Sequence, residues 1–296
     1  METDPMVPDV AGLAAALDAA GYVADDSLAT ALFLAVRMGQ PVLLEGEPGV
    51  GKTEAAKALA TVLDTPLLRL QCYEGLTAAE SLYEWNYPRQ LLGIRLAEAR
   101  GERLADADLF SRDYLLARPL LAAIEHPGPR PAVLLIDEID RADDEFEAFL
   151  FELLAEAAVT VPELGTLRAT RPPVAVLTSN RTRDLHDALR RRCLYHWIDY
   201  PRPERVADII RRRAPGTGVD LAIHIAEVAG RLRRLDLTKP PGLAEAINWA
   251  AALRTLGLTE LDEASARATL GAVLKHDDDL RAVYAAGLGV LVTRGA

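Results

Sequence analysis

Gly46-Glu47-Pro48-Gly49-Val50-Gly51-Lys52-Thr53, set between the strand-like run Val42 to Glu45 and a helical stretch from about Lys52 to Leu63, decides the fold. A strand, a glycine-rich loop and a helix in that order make a phosphate cradle. The glycines let successive backbone N–H groups turn inward, and the helix N-terminus adds the positive end of its dipole. In such a cradle Lys52 bridges the β and γ phosphates and the Thr53 hydroxyl ligates magnesium, which makes ATP and Mg2+ the expected cofactors. Residues Gly46 to Thr53, with Glu54 directly after them, form the expected nucleotide-binding segment. A chance match at the four fixed positions is expected in about one chain in a hundred of this length. The flanking strand and helix lower that figure. The competing reading is a glycine turn that merely joins a strand to a helix.

Outward from the cradle, short apolar runs recur at 67–70, 132–136, 174–178 and 194–198, separated by helical or loop segments. Such alternation predicts an α/β fold, an αβα P-loop NTPase sandwich with a mostly parallel sheet. After Pro201-Arg202-Pro203 the strand pattern stops. Glu204–Arg213, Leu221–Leu235, Leu243–Leu256 and Glu260–Leu274 read as helices of a small all-helical domain. Before the cradle, residues 9–37 read as two short helices parted near Gly21 and Asp25-Asp26. The expected organisation is a helical lead-in (1–37), a nucleotide-binding domain (38–201) and a helical lid domain (202–296).

The run Ala132 to Ile136 is apolar throughout, as in a strand buried on both faces, and it ends in Asp137-Glu138. Ligands of open α/β sheets bind at the carboxyl ends of the strands, so both carboxylates are expected beside the cradle. Asp137 would hold the magnesium shell through water, and Glu138 would polarise the water that attacks the γ phosphate. A second buried run, Val174 to Thr178, leads to Ser179-Asn180. The Asn180 amide can donate to one oxygen and accept from another, and so can position the attacking water. Asparagine at a strand end is otherwise a turn residue.

Composition narrows the function. In 296 residues, 44 acidic side chains against 33 basic ones give a formal charge of −11, which opposes broad attraction to a phosphate backbone. No nucleic-acid partner is expected. The acidic start METDPMVPDV has no basic segment followed by an apolar run, and no stretch approaches the roughly 20 apolar residues of a spanning helix, so a cytoplasmic protein is expected. Cys72 and Cys193 are far apart and outside any CxxC spacing, and read as small buried hydrophobes. The five histidines form no i, i+3 or i, i+4 pair and suggest no metal site.

The order of phosphate loop, apolar-DE strand, strand-end asparagine, arginine cluster and helical lid resembles the AAA+ ATPases, and within them the MoxR family. LLEGEPGVGKTEAAKALA, CYEGLTAAESLYEWNYPRQLL, LLIDEIDRADDEFEAFLFELL and LRRRCLYHWIDYPRPE look like its CoxD-type branch. The resemblance implies an ATPase acting as a ring, a hexamer, that helps mature a molybdenum hydroxylase such as carbon monoxide dehydrogenase beside a partner with a von Willebrand A domain. It also implies an arginine that crosses a subunit boundary to the γ phosphate of its neighbour. Arg192, directly before the last strand, takes that place, with Arg191 next and Arg190 open to the same reading. Alternatively these arginines complement the dipole of their own helix. One departure is visible: where many AAA+ lids carry a sensor arginine, this chain reads Lys239-Pro240-Pro241-Gly242-Leu243-Ala244-Glu245. Lys239 is the candidate replacement.

Two insertions are expected to face partners. Tyr73 to Pro88 gathers Tyr73, Tyr83, Trp85 and Tyr87 in a chain with only 5% aromatic residues, and such side chains make large rigid contacts or pack their own insertion. The segment 156–173 reads as a hairpin. The acidic run Asp140–Glu147 reads as a solvated helix start capped by Asp143 or Asp144. An ATP-driven remodelling chaperone for a metalloenzyme client fits these features. A nucleic-acid motor or clamp loader, or a weakly hydrolysing nucleotide switch, are the alternatives.

Overall fold

The computed structural model describes residues 7–294; the acidic opening METDPM lies outside them. By compactness the chain divides into two units. One holds the residues before Gly46 together with Lys52–Trp197, and the other holds Gly46–Gly51 with the chain from Ile198 onward.

In the first unit, α1 (Val10–Ala19) and α2 (Asp26–Met38) start where Asp9 and Asp25 accept the N–H groups of Gly12 and Leu28, each at 2.7 Å. They belong to the compact body of this unit. Strand β1 (Val42–Gly46) runs towards the phosphate loop, and α3 (Lys52–Val62) follows it. Then come β2 (Leu67–Gln71), α4 (Ala78–Leu82), β3 (Tyr83–Trp85), α5 (Tyr87–Ala99), α6 (Asp106–Leu109), β4 (Leu115–Ala117) and α7 (Pro119–Ile124). They are followed by β5 (Val133–Asp137), α8 (Asp144–Glu156), β6 (Ala158–Val161), β7 (Gly165–Arg168), β8 (Val174–Ser179), α9 (Asp187–Arg190) and β9 (Leu194–Ile198).

The sheet order is β2-β5-β8-β1-β9. The β1/β8, β5/β8 and β2/β5 pairs are parallel, with Glu45 opposite Ser179, Leu135 opposite Val176 and Gln71 opposite Asp137. Every residue of β5 and β8 is buried, which is why both strands read as unbroken apolar runs up to their polar ends. That register gathers Glu45, Asp137 and Ser179 at the carboxyl edge.

Two antiparallel pairs stand outside this sheet, β3/β4, whose strands are parted by α5 and α6, and the hairpin β6/β7. Trp85 is buried, edge-on to Tyr83 and Phe110 with ring centres 5.8 and 5.2 Å away. It therefore holds its own insertion together and is not the exposed grip that its sequence setting suggests. Leu164 likewise packs against the core of this unit. Tyr73 and Tyr87 of the same segment are exposed, and beyond it so are Leu91, Leu92 and Leu96 on α5 and Leu116 on β4.

The acidic run after β5 also differs from expectation. Asp143 does cap α8, accepting the Phe146 N–H at 2.9 Å. Asp140 and Glu147, however, are 2% and 1% exposed and hydrogen-bonded inside the unit, Asp140 through Oδ2 while its Oδ1 is buried without a partner, so they are internal residues and not a solvated face. Glu147 accepts from the Arg183 guanidinium and, at 2.8 Å, from the His186 N–H.

The second unit holds α10 (Pro203–Arg213), α11 (Val219–Leu232), α12 (Leu243–Thr255), α13 (Glu263–Thr269), α14 (Asp277–Ala285) and α15 (Leu288–Val292). The helix expected over Glu260–Leu274 begins later, capped by Asp262, and tightens at Leu270–Ala272 into a 3-10 turn. The last two helices leave little trace in the sequence because each is short. Trp249 on α12 is fully buried, and its indole N–H donates to the Thr269 hydroxyl at 2.8 Å. Trp249→Ala is expected to destabilise this unit by about 3–5 kcal/mol, from lost burial and the cavity left behind. Denaturant unfolding of the variant checks it, and a loss under about 1 kcal/mol would mean that the cluster closes over the gap.

Candidate nucleotide site

In the first unit the site grows from the ends of β5, β8 and the start of α3. Lys52 and Thr53 open α3, and Lys52 is 7% exposed although it carries a charge. The Thr53 hydroxyl donates to Asp137 Oδ1 at 3.0 Å. The Thr178 hydroxyl, from β8, donates to the same oxygen at 2.6 Å and accepts the Glu138 N–H at 2.9 Å. One threonine thus fixes both acidic residues. Asp137 Oδ2 takes Arg69 Nε at 3.0 Å and Nη2 at 2.6 Å.

Glu138 has φ 56°, a left-handed conformation that costs a non-glycine residue about 1–3 kcal/mol and concentrates at functional sites. Its carboxylate meets Arg141 Nη1 at 3.1 Å and is about a third exposed. Asn180 follows β8, and its N–H donates to Asp140 Oδ2 at 3.2 Å. Thr182 adds its N–H and hydroxyl to the same oxygen at 2.8 and 2.7 Å, so the buried Asp140 sets the turn that presents Asn180. The sequence-predicted residues Lys52, Thr53, Asp137, Glu138 and Asn180 therefore stand at the starts and ends of neighbouring elements.

Glu45, at the end of β1, is 1% exposed. It accepts from the Tyr195 hydroxyl at 3.1 Å and lies 3.6 Å from Arg190 Nη2 and 3.7 Å from Arg181 Nε. Arg190 is thereby engaged inside its own unit. Arg191 and Arg192 are exposed. The Arg192 guanidinium lies over the Phe151 ring, 4.3 Å from its centre, beside a cavity of about 460 Å³ that is also lined by Met38, Gln40 and Cys193. Glu54 pairs with Lys57 at 2.6 Å on the outer face of α3.

The second unit contains the loop itself. Gly49 and Gly51 have φ of 79° and 100°, which only glycine adopts without strain. The Gly49 carbonyl accepts the Leu243 N–H at 3.1 Å, at the first residue of α12. Glu47 pairs with the Arg233 guanidinium, which also donates to the Pro241 carbonyl at 2.8 Å and lies 3.9 Å from the Tyr200 ring centre. Pro48 adjoins Gly242, and Val50 is buried. Lys239 is exposed, with its N–H held by Asp279 at 3.1 Å. Arg233, not Lys239, is the cation that this unit sets against the loop.

Sequence reasoning passes over Arg69, Asp140, Thr178 and Arg233. Thr178 and Asp140 carry a signal, since each lies within three residues of a motif end. Arg69 and Arg233 stand far from any motif and need the fold to reveal them. The two cysteines are buried, and burial pushes both thiols up to about 12, which makes them poor nucleophiles.

The donors suit magnesium: a hydroxyl and a carboxylate, both hard oxygen ligands, meet at 3.0 Å. Among the described residues no group of three or more His, Cys, Asp or Glu side chains forms a metal cage. A divalent ion here would need oxygens from phosphates and water as well, the usual mode for magnesium in nucleotide sites.

A glycine loop running into a helix, with the helix's threonine on the aspartate of a central strand, defines a P-loop nucleoside triphosphatase. The family described as AAA domain (dynein-related subfamily) matches residues 41–193, more than half of the chain, and the chain belongs to it. Protein CbbQ of Hydrogenophilus thermoluteolus is 26% identical over 255 residues, 81% of this chain and 83% of that protein. The denitrification regulatory protein NirQ of Pseudomonas aeruginosa is 26% identical over 207 residues, 68% of this chain and 70% of that protein. Chaperone MoxR1 of Mycobacterium tuberculosis is 28% identical over 199 residues, covering 64% of this chain and 44% of that protein. Among solved structures, the RuvB Holliday junction branch migration motor of Thermotoga maritima aligns at 19% identity with a TM-score of 0.45, over 88% of this chain and 67% of that one. The chain is an AAA+ ATPase of the MoxR family. Among the described residues no helix is long and apolar enough to cross a membrane.

Proposed function

We propose that this ATPase is a remodelling chaperone that works as a homo-oligomeric ring and finishes the metal centre of an enzyme, with a von Willebrand A domain protein as adaptor. The observation that carries the chemistry is the Asp137 carboxylate, held by Thr53 and Thr178 directly beside the left-handed Glu138. Glu138 takes a proton from water as the water oxygen bonds to the γ phosphorus and the bond to the ADP oxygen breaks. Lys52 and the loop N–H groups bind the phosphates, and Asn180 orients the water. Magnesium, held by Thr53 and through water by Asp137, would neutralise phosphate charge. Arg192 reaches the γ phosphate of a neighbouring copy.

The client assignment rests on the CoxD-like sequence stretches, which favour a molybdenum hydroxylase such as carbon monoxide dehydrogenase. The name chaperone carried by the relative MoxR1 agrees with a role that acts on other proteins. The exposed apolar face of α5 is the surface offered to the partner.

The test is ATP turnover per chain against protein concentration, with mass recorded on the same samples and the adaptor then added. Turnover is expected to rise severalfold as the chain assembles, because each site borrows an arginine from its neighbour. A flat profile across the assembly transition would remove the ring mechanism. Failure of the adaptor and client to bind or change would remove the chaperone assignment while leaving the ATPase intact.

A further inference from the structure

Arg69 lies on β2, the edge strand of the sheet, two residues before Gln71, which stands opposite Asp137. Its guanidinium reaches along the strand to place both Nε and Nη2 on Asp137 Oδ2, at 3.0 and 2.6 Å, while Nη2 also meets Gln71 Oε1 at 2.6 Å. The aspartate side chain is 4% exposed and the arginine 48% exposed. A carboxylate buried to that extent needs a compensating positive charge, and the hydroxyls of Thr53 and Thr178 supply hydrogen bonds but none. Arg69 is the cation that supplies it.

The same carboxylate is the one assigned above to the magnesium shell. A divalent ion or its bound water on Oδ2 would compete for lone pairs that Arg69 already fills, and its charge would repel the guanidinium. Thr178 donates to Oδ1 alone and Thr53 lies closer to Oδ1 (3.0 Å) than to Oδ2 (3.3 Å), whereas both Arg69 contacts fall on Oδ2, which makes Oδ2 the oxygen on which the exchange happens. Arg69 has somewhere to go, since its head is half exposed, its strand has no outer neighbour among the described residues, and Gln71 offers an alternative acceptor.

We propose that Arg69 is a built-in counter-ion that occupies Asp137 when no divalent metal is present and must be displaced for the metal to bind, so that it sets the metal concentration at which nucleotide is captured. The inference rests on reading this site as a magnesium-nucleotide site. Its purpose would be to keep the metal-free pocket charge-balanced and folded while making capture of nucleotide depend on metal.

The experiment is calorimetric titration of ADP into the full-length protein at a series of Mg2+ concentrations and in EDTA, for the wild type, Arg69→Gln and Arg69→Lys. Arg69→Gln removes the competing charge and is expected to lower the Mg2+ concentration for half-maximal ADP affinity by about three- to tenfold. ADP affinity in EDTA is expected to stay within about twofold of the wild type. Arg69→Lys keeps the charge and is expected to hold the metal requirement close to that of the wild type. Thermal unfolding in EDTA should show Arg69→Gln melting earlier than the wild type, with the gap closing when Mg-ADP is added. An unchanged or raised Mg2+ requirement in Arg69→Gln overturns the proposal. Should that variant not fold, a metal requirement lowered in Arg69→Lys to below a third of the wild-type value overturns it as well. If the wild type itself binds ADP with no dependence on metal, the magnesium-nucleotide reading has failed, a result distinct from an unshifted variant.

Discussion

Glu138→Gln is expected to lower ATP turnover by about 10²–10⁴-fold while leaving ATP affinity within about threefold. The size of the effect follows from removing a base and keeping everything else. Glutamine has nearly the same volume, can adopt the same left-handed backbone, and leaves the Glu138 N–H on the Thr178 hydroxyl. Asp137 keeps its contacts from Thr53, Thr178 and Arg69, so the phosphate-binding side of the site is untouched. Only the capacity to accept a proton from water is lost. Single-turnover hydrolysis alongside equilibrium binding of ATP separates the two steps. A variant that hydrolyses ATP at more than a tenth of the wild-type rate would place the base elsewhere. A variant that no longer binds ATP would show that the carboxylate supports the fold of the site.

The parts of this molecule that are legible in the sequence are those where one physical requirement acts on consecutive residues. Strands β5 and β8 are buried along their whole length, so each shows as an unbroken apolar run, and the polar residues that end them announce the carboxyl edge. The phosphate loop is legible for a similar reason: Gly49 and Gly51 need conformations that other residues resist, and they lie within a few positions of Lys52 and Thr53. Requirements met across long stretches of chain are not legible. Asp140 looks like one more charge in an acidic run, and only the return of β8 beside it shows Thr182 converging on its carboxylate. Trp85 has the composition of a binding residue, yet Phe110, which encloses it, is supplied from beyond α5. Arg69 meets Asp137 across 68 positions and Arg233 meets Glu47 across 186, distances over which no spacing rule operates. The missing lid arginine points the sequence reading to Lys239 because that residue sits in the expected turn. Asp279, from a helix too short to stand out in the sequence, holds that turn by its backbone instead.

Arg192→Ala is expected to lower turnover in the assembled protein by about 10³-fold or more, the scale of other arginines that stabilise a transferring phosphoryl group from outside the site. Of the three consecutive arginines, Arg190 is committed within its own unit to Glu45 and the Tyr195 ring, and Arg191 pairs with Asp187 at 3.9 Å on the surface. Arg192 is exposed and rests on Phe151, a contact strong enough to hold the guanidinium out from the end of α9 and weak enough to be exchanged for phosphate. The loss of rate alone does not distinguish a residue acting in its own subunit from one acting on the next. Mixing does. Arg192→Ala keeps an intact base but sends no arginine to its neighbour, whereas Glu138→Gln sends the arginine but has no base of its own. In a mixed ring, an Arg192→Ala site facing the arginine of a Glu138→Gln subunit is complete, so two nearly inactive proteins are expected to regain on the order of a quarter of wild-type turnover at equal proportions, the share of boundaries paired in the productive order. No recovery in mixtures shown to share rings would mean that Arg192 acts within its own chain, and the same mixing with Arg191→Ala then tests the adjacent candidate.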